Sequence, residues 1–115
     1  MTIFDLLHEN ATADLDLLRS NDAHGDDFAK SRTVDFAFKT HDKERADDLC
    51  EYINGKNFGK AHVREDQDLF WVISKIEMPI TQNLVFCVSG FMVCLSRLFQ
   101  VEYDGWGSII QPPPS

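Results

Sequence analysis

Histidines and cysteines are the side chains of this sequence that could serve as bases, nucleophiles or metal ligands. The four histidines lie in four different segments of the chain, at His8, His24, His41 and His62. No H-x-x-x-H, C-x-x-C or H-E-x-x-H spacing occurs in the sequence. His24 could hold a metal ion only loosely with Asp26 and Asp27, and a solvated loop is the favoured interpretation. The sequence therefore predicts neither a metal site nor a cofactor.

The three cysteines could supply a thiol nucleophile or a disulfide. Their odd number argues against a disulfide framework. On a helix, Cys87 and Cys94 would be separated by about 10.5 Å along the axis, which is too far for a disulfide. We expect these two and Cys50 to be small buried apolar groups in a reducing cytoplasm. A small enzyme that uses Cys50 or a histidine stays open as an alternative, which thiol titration of the folded protein would decide.

Two other patterns resemble known sites only in part. Glu65, Asp66 and Asp68 have the acid density of a calcium loop but lack its glycine and its final glutamate. Phe70 and Trp71 resemble the stacking aromatics of RNA-binding sheets, but no basic, aromatic-rich segment accompanies them. Neighbours on a strand point to opposite faces, so one of the two rings must point into the core. We therefore expect a solvated turn, a core strand and no direct binding of nucleic acid.

Composition and charge limit the function classes further. The chain has 115 residues, 43% of them hydrophobic, which suits one domain with its own core. Nineteen acids and eleven bases give a net charge of −8, and 16 of the acids lie within residues 1–68. Binding of nucleic acid through its phosphates needs a basic stripe, and the sequence contains none. An acidic surface suits solubility or a basic protein partner.

The sequence contains no segment that indicates export or membrane insertion. Residues 1–7 lack the Lys or Arg of a signal peptide. The longest apolar run, over residues 84–95, is shorter than the ~20 residues of a membrane span. We expect a cytoplasmic protein that does not enter a membrane.

The periodicity of apolar residues predicts three helices and four strands. Helical spacing covers residues 3–20, about 42–55 and about 81–100. The predicted strands lie at 33–39, 59–64 and 69–78, and a fourth starts at 101–103 before a bend at 105–107. The predicted core stripe of the third helix consists of Leu84, Val88, Phe91, Met92, Leu95 and Phe99.

The element order is one helix followed by β-α-β-β-α-β. Two helices on one face of a four-stranded antiparallel sheet form the ferredoxin-like α+β arrangement. Right-handed crossovers place strands one and three in the centre of that sheet, and these are the most apolar strands of this chain. We expect an N-terminal helix over residues 1–20 packed on the domain, a ferredoxin-like domain over 21–111, and a frayed proline-rich tail at 112–115.

The third helix is apolar nearly all round. Its apolar residues outside the predicted core stripe are Val85, Phe86, Cys87, Val93 and Cys94. Such a helix is buried on more than one side. Either the N-terminal helix or a partner could cover the second side, and the latter leaves a homodimer open. Gly90 in its middle costs about 1 kcal/mol relative to alanine, which close approach of another backbone would explain.

The segment Glu102–Ser108, EYDGWGS, resembles the signature that ends the conserved domain of the RraB family, the regulators of ribonuclease E activity B. Asp27 and the stretch Arg32–Phe36 resemble that family's first strand and its approach, and the resemblance covers about residues 20–110. It implies a ferredoxin-like fold and a bacterial cytoplasmic protein that binds ribonuclease E and restrains RNA cleavage without catalysis of its own. The chain ends in QPPPS where the founding type has a long acidic tail.

The expected site is therefore a protein-binding surface. Tyr103 and Trp106 combine an apolar ring with a polar tip, as interface residues often do, and with Asp104 they are the predicted contact residues. The alternative is that Trp106 plugs the end of the sheet while Gly105 and Gly107 allow the turn. The predicted steering acids for a basic, RNA-binding segment of the nuclease are Asp26, Asp27, Asp47, Asp48 and Glu51. An immunity or antitoxin-like inhibitor of another basic nuclease stays open as an alternative.

Overall fold

The computed structural model describes residues 1–113, which form three helices and four strands in the predicted order. The helices are α1 (Ile3–Ala23), α2 (Lys43–Gly55) and α3 (Gln82–Phe99). The strands are β1 (Arg32–Thr40), β2 (Lys60–Asp66), β3 (Leu69–Met78) and β4 (Glu102–Ser108). Of the tail predicted at 112–115, residues 112 and 113 have no regular secondary structure, and the last two lie outside the described residues.

The four strands form one antiparallel sheet in the order β2-β3-β1-β4. The α+β ferredoxin-like prediction is thus confirmed, with strands one and three in the centre. Alternation along β1 buries Val34, Phe36 and Phe38 completely against the helices. Across the sheet, Phe36 is paired with Ser74 of β3 and Trp106 of β4, so these three side chains share the helix-facing side.

Helix α2 packs on the sheet through the stripe that its sequence spacing predicts. Ala46, Leu49 and Ile53 are fully buried. The side chain of Asp42 caps the helix by accepting a hydrogen bond from the backbone N–H of Arg45 at 3.3 Å, which satisfies one of the orphan donors of the first turn. The helix therefore begins at a defined residue and presents its acidic side to solvent.

Helix α1 lies against α3 and covers one of its sides. It starts with a capping box, in which Thr2 and Asp5 bond each other's backbone N–H groups. It also extends three residues beyond the predicted end at residue 20. Its contact with α3 does not bring two backbones together at Gly90, because a Cβ there would meet only the Leu7 side chain, at 3.7 Å. The predicted reason for this glycine was wrong.

Helix α3 is rotated about its axis relative to the predicted core stripe. Its buried residues are Val85, Ser89, Met92, Val93, Leu95 and Ser96. Leu84 and Phe91, which belonged to the predicted stripe, are each more than a third exposed. By length and composition α3 could cross a membrane, with a mean hydropathy of 1.4. Its buried face packs on α1, on α2 and on the sheet, as expected for the core helix of a domain.

Strand β4 runs through the segment where a bend was predicted. It pairs with β1 from Glu102 to Ser108, and a bulge between Tyr103 and Gly105 absorbs the extra residue Asp104. Gly105 has a φ of +94°, a conformation that glycine adopts without the cost of a Cβ. The bulge turns Asp104 to the face opposite the helices, while Tyr103 and Trp106 point toward them.

Candidate protein-binding site

The two aromatic residues of the EYDGWGS segment point into the protein. Trp106 is only 8% exposed, and its Nε1–H donates to Asp14 Oδ1 at 3.1 Å. The hydroxyl of Tyr103 lies 2.9 Å from Ser89 Oγ, and its ring packs on Phe38 with centroids 5.3 Å apart. Burial raises the pKa of the Tyr103 phenol. The burial of the Trp106 indole agrees with the alternative that this residue plugs the end of the sheet, and a contact of Tyr103 or Trp106 with a partner stays a prediction.

Asp14 is the centre of this buried polar cluster. Besides the indole of Trp106, its carboxylate accepts hydrogen bonds from Ser89 Oγ at 3.1 Å and Asn10 Nδ2 at 3.3 Å. Burial raises the pKa of Asp14, and the hydrogen bonds from Ser89 and Trp106 oppose that shift. The cluster links α1, α3 and β4, so the motif stabilises the packing of the N-terminal helix. Sequence reasoning missed it, although Asp14 lies four residues before Leu18 on the apolar stripe of α1.

Asp26 is a buried member of an ion pair instead of an exposed steering acid. Both of its carboxylate oxygens lie 2.7 Å from Nη1 of Arg32, and both side chains are almost fully buried. Arg32 also donates to the carbonyls of Asp27, Lys30 and Ile109. The pair thus ties the loop before β1 to the segment after β4. This burial corrects the role we predicted for Asp26.

The remaining predicted acids are spread over two surfaces. Asp47, Asp48 and Glu51 are exposed on α2. Asp47 pairs with Lys43 at 2.7 Å, whereas Asp48 and Glu51 form no ion pair within residues 1–113. Asp27 is half-buried and accepts from a backbone N–H in its own loop. The structure brings only the three α2 acids together, and their binding role stays a prediction.

The sheet face opposite the helices presents Trp71 between two cations. Lys39 Nζ lies 5.7 Å and the Arg64 guanidinium carbon 5.9 Å from the ring centroid, within the range of cation–π contacts. Phe70 packs against the core, which confirms that one of these two neighbours points inward. Lys39 also pairs with Asp104 at 3.1 Å, and that hydrogen bond raises the pKa of Lys39. Its charge is therefore compensated locally, which weakens a phosphate-binding interpretation of this face.

The side chains that could do chemistry do not converge. Within residues 1–113, no three His, Cys, Asp or Glu side chains lie close enough to hold a metal ion. Cys50 is half-buried, and burial, with a contribution from Asp47, raises the pKa of its thiol. A nucleophilic cysteine needs the opposite shift. Cys87 is exposed, so our expectation of three buried cysteines was wrong for this residue.

One surface feature was missed by the sequence reasoning. Four apolar residues of α3 are exposed, Leu84, Cys87, Phe91 and Leu98, and the half-buried Cys94 is the fifth apolar residue in this series. Their spacing alternates between three and four residues, which is the a/d pattern of helices that pack on other helices. That spacing was readable in the sequence, but the apolar residues on every side of α3 concealed it. We call these five residues the outer stripe.

Comparison with protein families identifies the family to which the chain belongs. A model described as regulator of ribonuclease activity B, RraB, matches residues 11–108. The chain belongs to the RraB family. The match begins inside α1 and extends to the end of β4, so it includes Asp14, Ser89 and Trp106 of the buried cluster. A search of curated proteins finds no match. The RraB family regulates ribonuclease activity, which implies that a member contacts a protein partner.

Proposed function

We propose that this protein binds a ribonuclease of the ribonuclease E type in the cytoplasm and restrains its RNA cleavage without catalysis of its own. The observation that carries the proposal is the RraB match over residues 11–108. The partner that we propose is more specific than the family's description, and it rests on the chemistry of the surface. The inhibitor acts by covering a basic segment that the nuclease uses to hold RNA.

The charge of the helix side supports a basic partner. Helices α1, α2 and α3 together contain nine acidic and four basic residues. On α2, Asp48 and Glu51 are exposed and form no ion pair within the described residues, so their charges are available to a partner. Complementary charge speeds association and favours the correct partner over others. An acidic helix layer thus competes with RNA for the same basic segment.

The state of the polar side chains supports a role without catalysis. The pKa of Cys50 is raised, and the ring nitrogens of His24 and His41 contact backbone carbonyls of Ser20 and Asp68. The buried carboxylate of Asp14 is held by donors from three elements and serves packing. None of these groups is arranged as a nucleophile with an adjacent base.

The proposal is tested by binding to a purified ribonuclease E-type enzyme at low and high salt. The test variant carries Asp47→Asn, Asp48→Asn and Glu51→Gln, and the control variant carries the same charge change at the end of β2 and in the turn that follows it. The control substitutions are Glu65→Gln, Asp66→Asn and Asp68→Asn. We expect the α2 variant to bind about tenfold more weakly at low salt, since each exposed ion pair contributes about 0.2–1 kcal/mol.

We expect the control variant to lose less than about threefold and the wild type to lose affinity at high salt. Equal losses for the two variants would show that only net charge matters and would remove α2 from the site. Failure of the wild-type chain to bind the enzyme at low salt would contradict the proposed function itself.

A further inference from the structure

The outer stripe of α3 is an exposed apolar surface that the fold itself does not use. Leu98 is 76% exposed, and Phe91 is 38% exposed. The other sides of α3 pack on α1, on α2 and on the sheet, so within residues 1–113 the stripe is the outward side of the helix, and the loop residue Phe58 contacts it at Phe91. Its a/d spacing gives a second helix a continuous seam of about two heptads.

Aromatic residues widen this surface toward α2. Phe58, in the loop after α2, contacts Phe91 edge-on with ring centroids 4.9 Å apart. Tyr52 of α2 joins the cluster through Phe58 at 5.9 Å and Phe99 at 5.3 Å. Contiguous exposed apolar surface of this kind marks interaction sites in soluble proteins. Rigid aromatic rings that are already packed on one another also lose little freedom when a partner binds.

Acidic residues outnumber basic ones on the three helices that include the outer stripe. Asp48 and Glu51 lie beside Tyr52 and Phe99, where they line a shallow depression together with one cation, Lys56. Helix α3 itself contains a single charged residue, Arg97. The three-helix layer has nine acids and four bases. A second copy of this chain would therefore bring acidic helices together, whereas a cationic partner would be attracted.

We propose that the outer stripe and its aromatic extension are the docking site for an amphipathic helix whose apolar seam is flanked by Lys and Arg. The apolar seam fills the a/d positions, and the flanking cations face the acids of α2. Recognition then follows the helix-in-groove mode, in which apolar side chains give affinity and flanking charges give selectivity. For the identity of the protein that supplies this helix, the inference rests on the proposed function.

The probe is a labelled synthetic helical peptide with Leu at a and d and Lys at the flanking positions, and a twin peptide carries Glu in place of Lys. We expect the Lys peptide to bind with an affinity that falls as salt rises and the Glu peptide not to bind. Leu98→Asp should weaken the binding of the Lys peptide by at least about tenfold. The matched control is Ile109→Asp, because Ile109 is 77% exposed on the segment after β4, and it should change binding less than about twofold.

A second readout uses the cysteines of the unmodified chain. Cys87 lies on the outer stripe and is exposed, whereas Cys50 lies on α2 outside it. Saturating Lys peptide should slow alkylation of Cys87 several-fold and leave the rate at Cys50 unchanged. Unchanged alkylation of Cys87 in the bound state would overturn the proposal, as would equal binding of the Lys and Glu peptides.

Two further outcomes separate this inference from the proposed function. If the chain is a dimer in solution and Leu98→Asp makes it a monomer, the occupant is a second copy and the proposal is wrong. If the Lys peptide binds the stripe but the ribonuclease does not bind the chain, the stripe stands and the nuclease assignment falls. If the ribonuclease binds wild type and Leu98→Asp equally well, the stripe is not its docking site.

Discussion

Asp14 is the residue whose replacement tests the role of the buried cluster most sharply. Its carboxylate accepts from Trp106 Nε1 at 3.1 Å, Ser89 Oγ at 3.1 Å and Asn10 Nδ2 at 3.3 Å. Asp14→Ala removes all three acceptor contacts. Ser89 keeps partners in Asn10 and Tyr103, each 2.9 Å away. The indole N–H of Trp106 is left buried with nothing to donate to.

The expected cost follows from that one unpaired donor and from the carboxylate. A buried donor without a partner costs about 1–3 kcal/mol. Packing lost on truncation adds to that cost, while removal of a buried carboxylate that has no cation beside it offsets part of it. We expect Asp14→Ala to lower the free energy of unfolding by about 2 kcal/mol at neutral pH. Asp14→Asn keeps an acceptor oxygen for Trp106 and should stay within about 1 kcal/mol of wild type.

The assay is urea unfolding followed by tryptophan fluorescence, with far-UV circular dichroism to show that each variant folds. A loss of 2 kcal/mol corresponds to a midpoint shift of about 1 M urea, given slopes of about 1–3 kcal/mol/M. The alanine and asparagine variants form a matched pair, since both remove the charge and only one retains an acceptor. If both variants unfold at the wild-type midpoint, the cluster does not stabilise the fold and the account of the motif is refuted.

The same residue predicts a pH dependence with a definite sign. Burial raises the pKa of Asp14 above its ordinary value of 3.8. Between the ordinary value and the raised one, the folded state binds more protons than the unfolded state, so stability falls as pH rises through this window. Asp14→Asn does not titrate. Its stability relative to wild type should therefore increase from pH 4 upward, and a difference that is flat or decreasing would contradict the predicted environment of Asp14.

Three further substitutions test other parts of the fold by the same urea assay. Gly59→Ala should lower the free energy of unfolding by about 1–3 kcal/mol, because a Cβ would overlap Ser74 Oγ and lie 3.2 Å from a backbone carbonyl of β3. A variant as stable as the wild type would show that this contact relaxes freely. Gly90→Ala should stabilise the protein by about 0.5–1 kcal/mol, since only the Leu7 side chain lies near; a loss would mean that α1 sits closer to α3. Arg32→Met should cost about 3–5 kcal/mol because it leaves the carboxylate of Asp26 buried without its cation; a loss below about 1 kcal/mol would contradict this ion pair.

The elements whose apolar residues occupy one clear face could be predicted from the sequence. Strand β1 alternates Val34, Phe36 and Phe38 with polar residues, and the structure buries these three completely. Strand β3 was predicted with its observed ends at residues 69 and 78. Both strands lie in the centre of the sheet. Their apolar residues favour burial, and the topology places them where strands are buried.

Strand β4 and helix α3 could not be predicted fully, because their positions depend on distant residues. Gly105 indicates a bend in isolation, but pairing with β1 converts the segment into a bulged strand. Helix α3 is apolar on every side, so its pattern does not say which side faces inward. Its rotation places Ser89 in the interior, where Asp14 and Tyr103 supply the hydrogen bonds that a buried hydroxyl needs.

The candidate site was predicted only in part for the same reason. A lone carboxylate on a helix normally faces water, and the donors that allow Asp14 to be buried come from residues 75 and 92 positions away. Asp26 depends in the same way on Arg32 and on the segment after β4. The α2 acids are exposed as a steering role requires, because an exposed helix face needs no distant partner, and their binding role stays a prediction.

We propose that this protein restrains a ribonuclease by occupying the place of RNA. The direct measurement is the rate at which a purified ribonuclease E-type enzyme cleaves a fluorogenic single-stranded RNA, with increasing amounts of the chain. We expect a saturable fall in the cleavage rate, with a raised apparent KM and an unchanged kcat, because inhibitor and RNA compete. The chain alone should leave the RNA intact. An unchanged cleavage rate at saturating chain, or cleavage by the chain itself, would contradict the account.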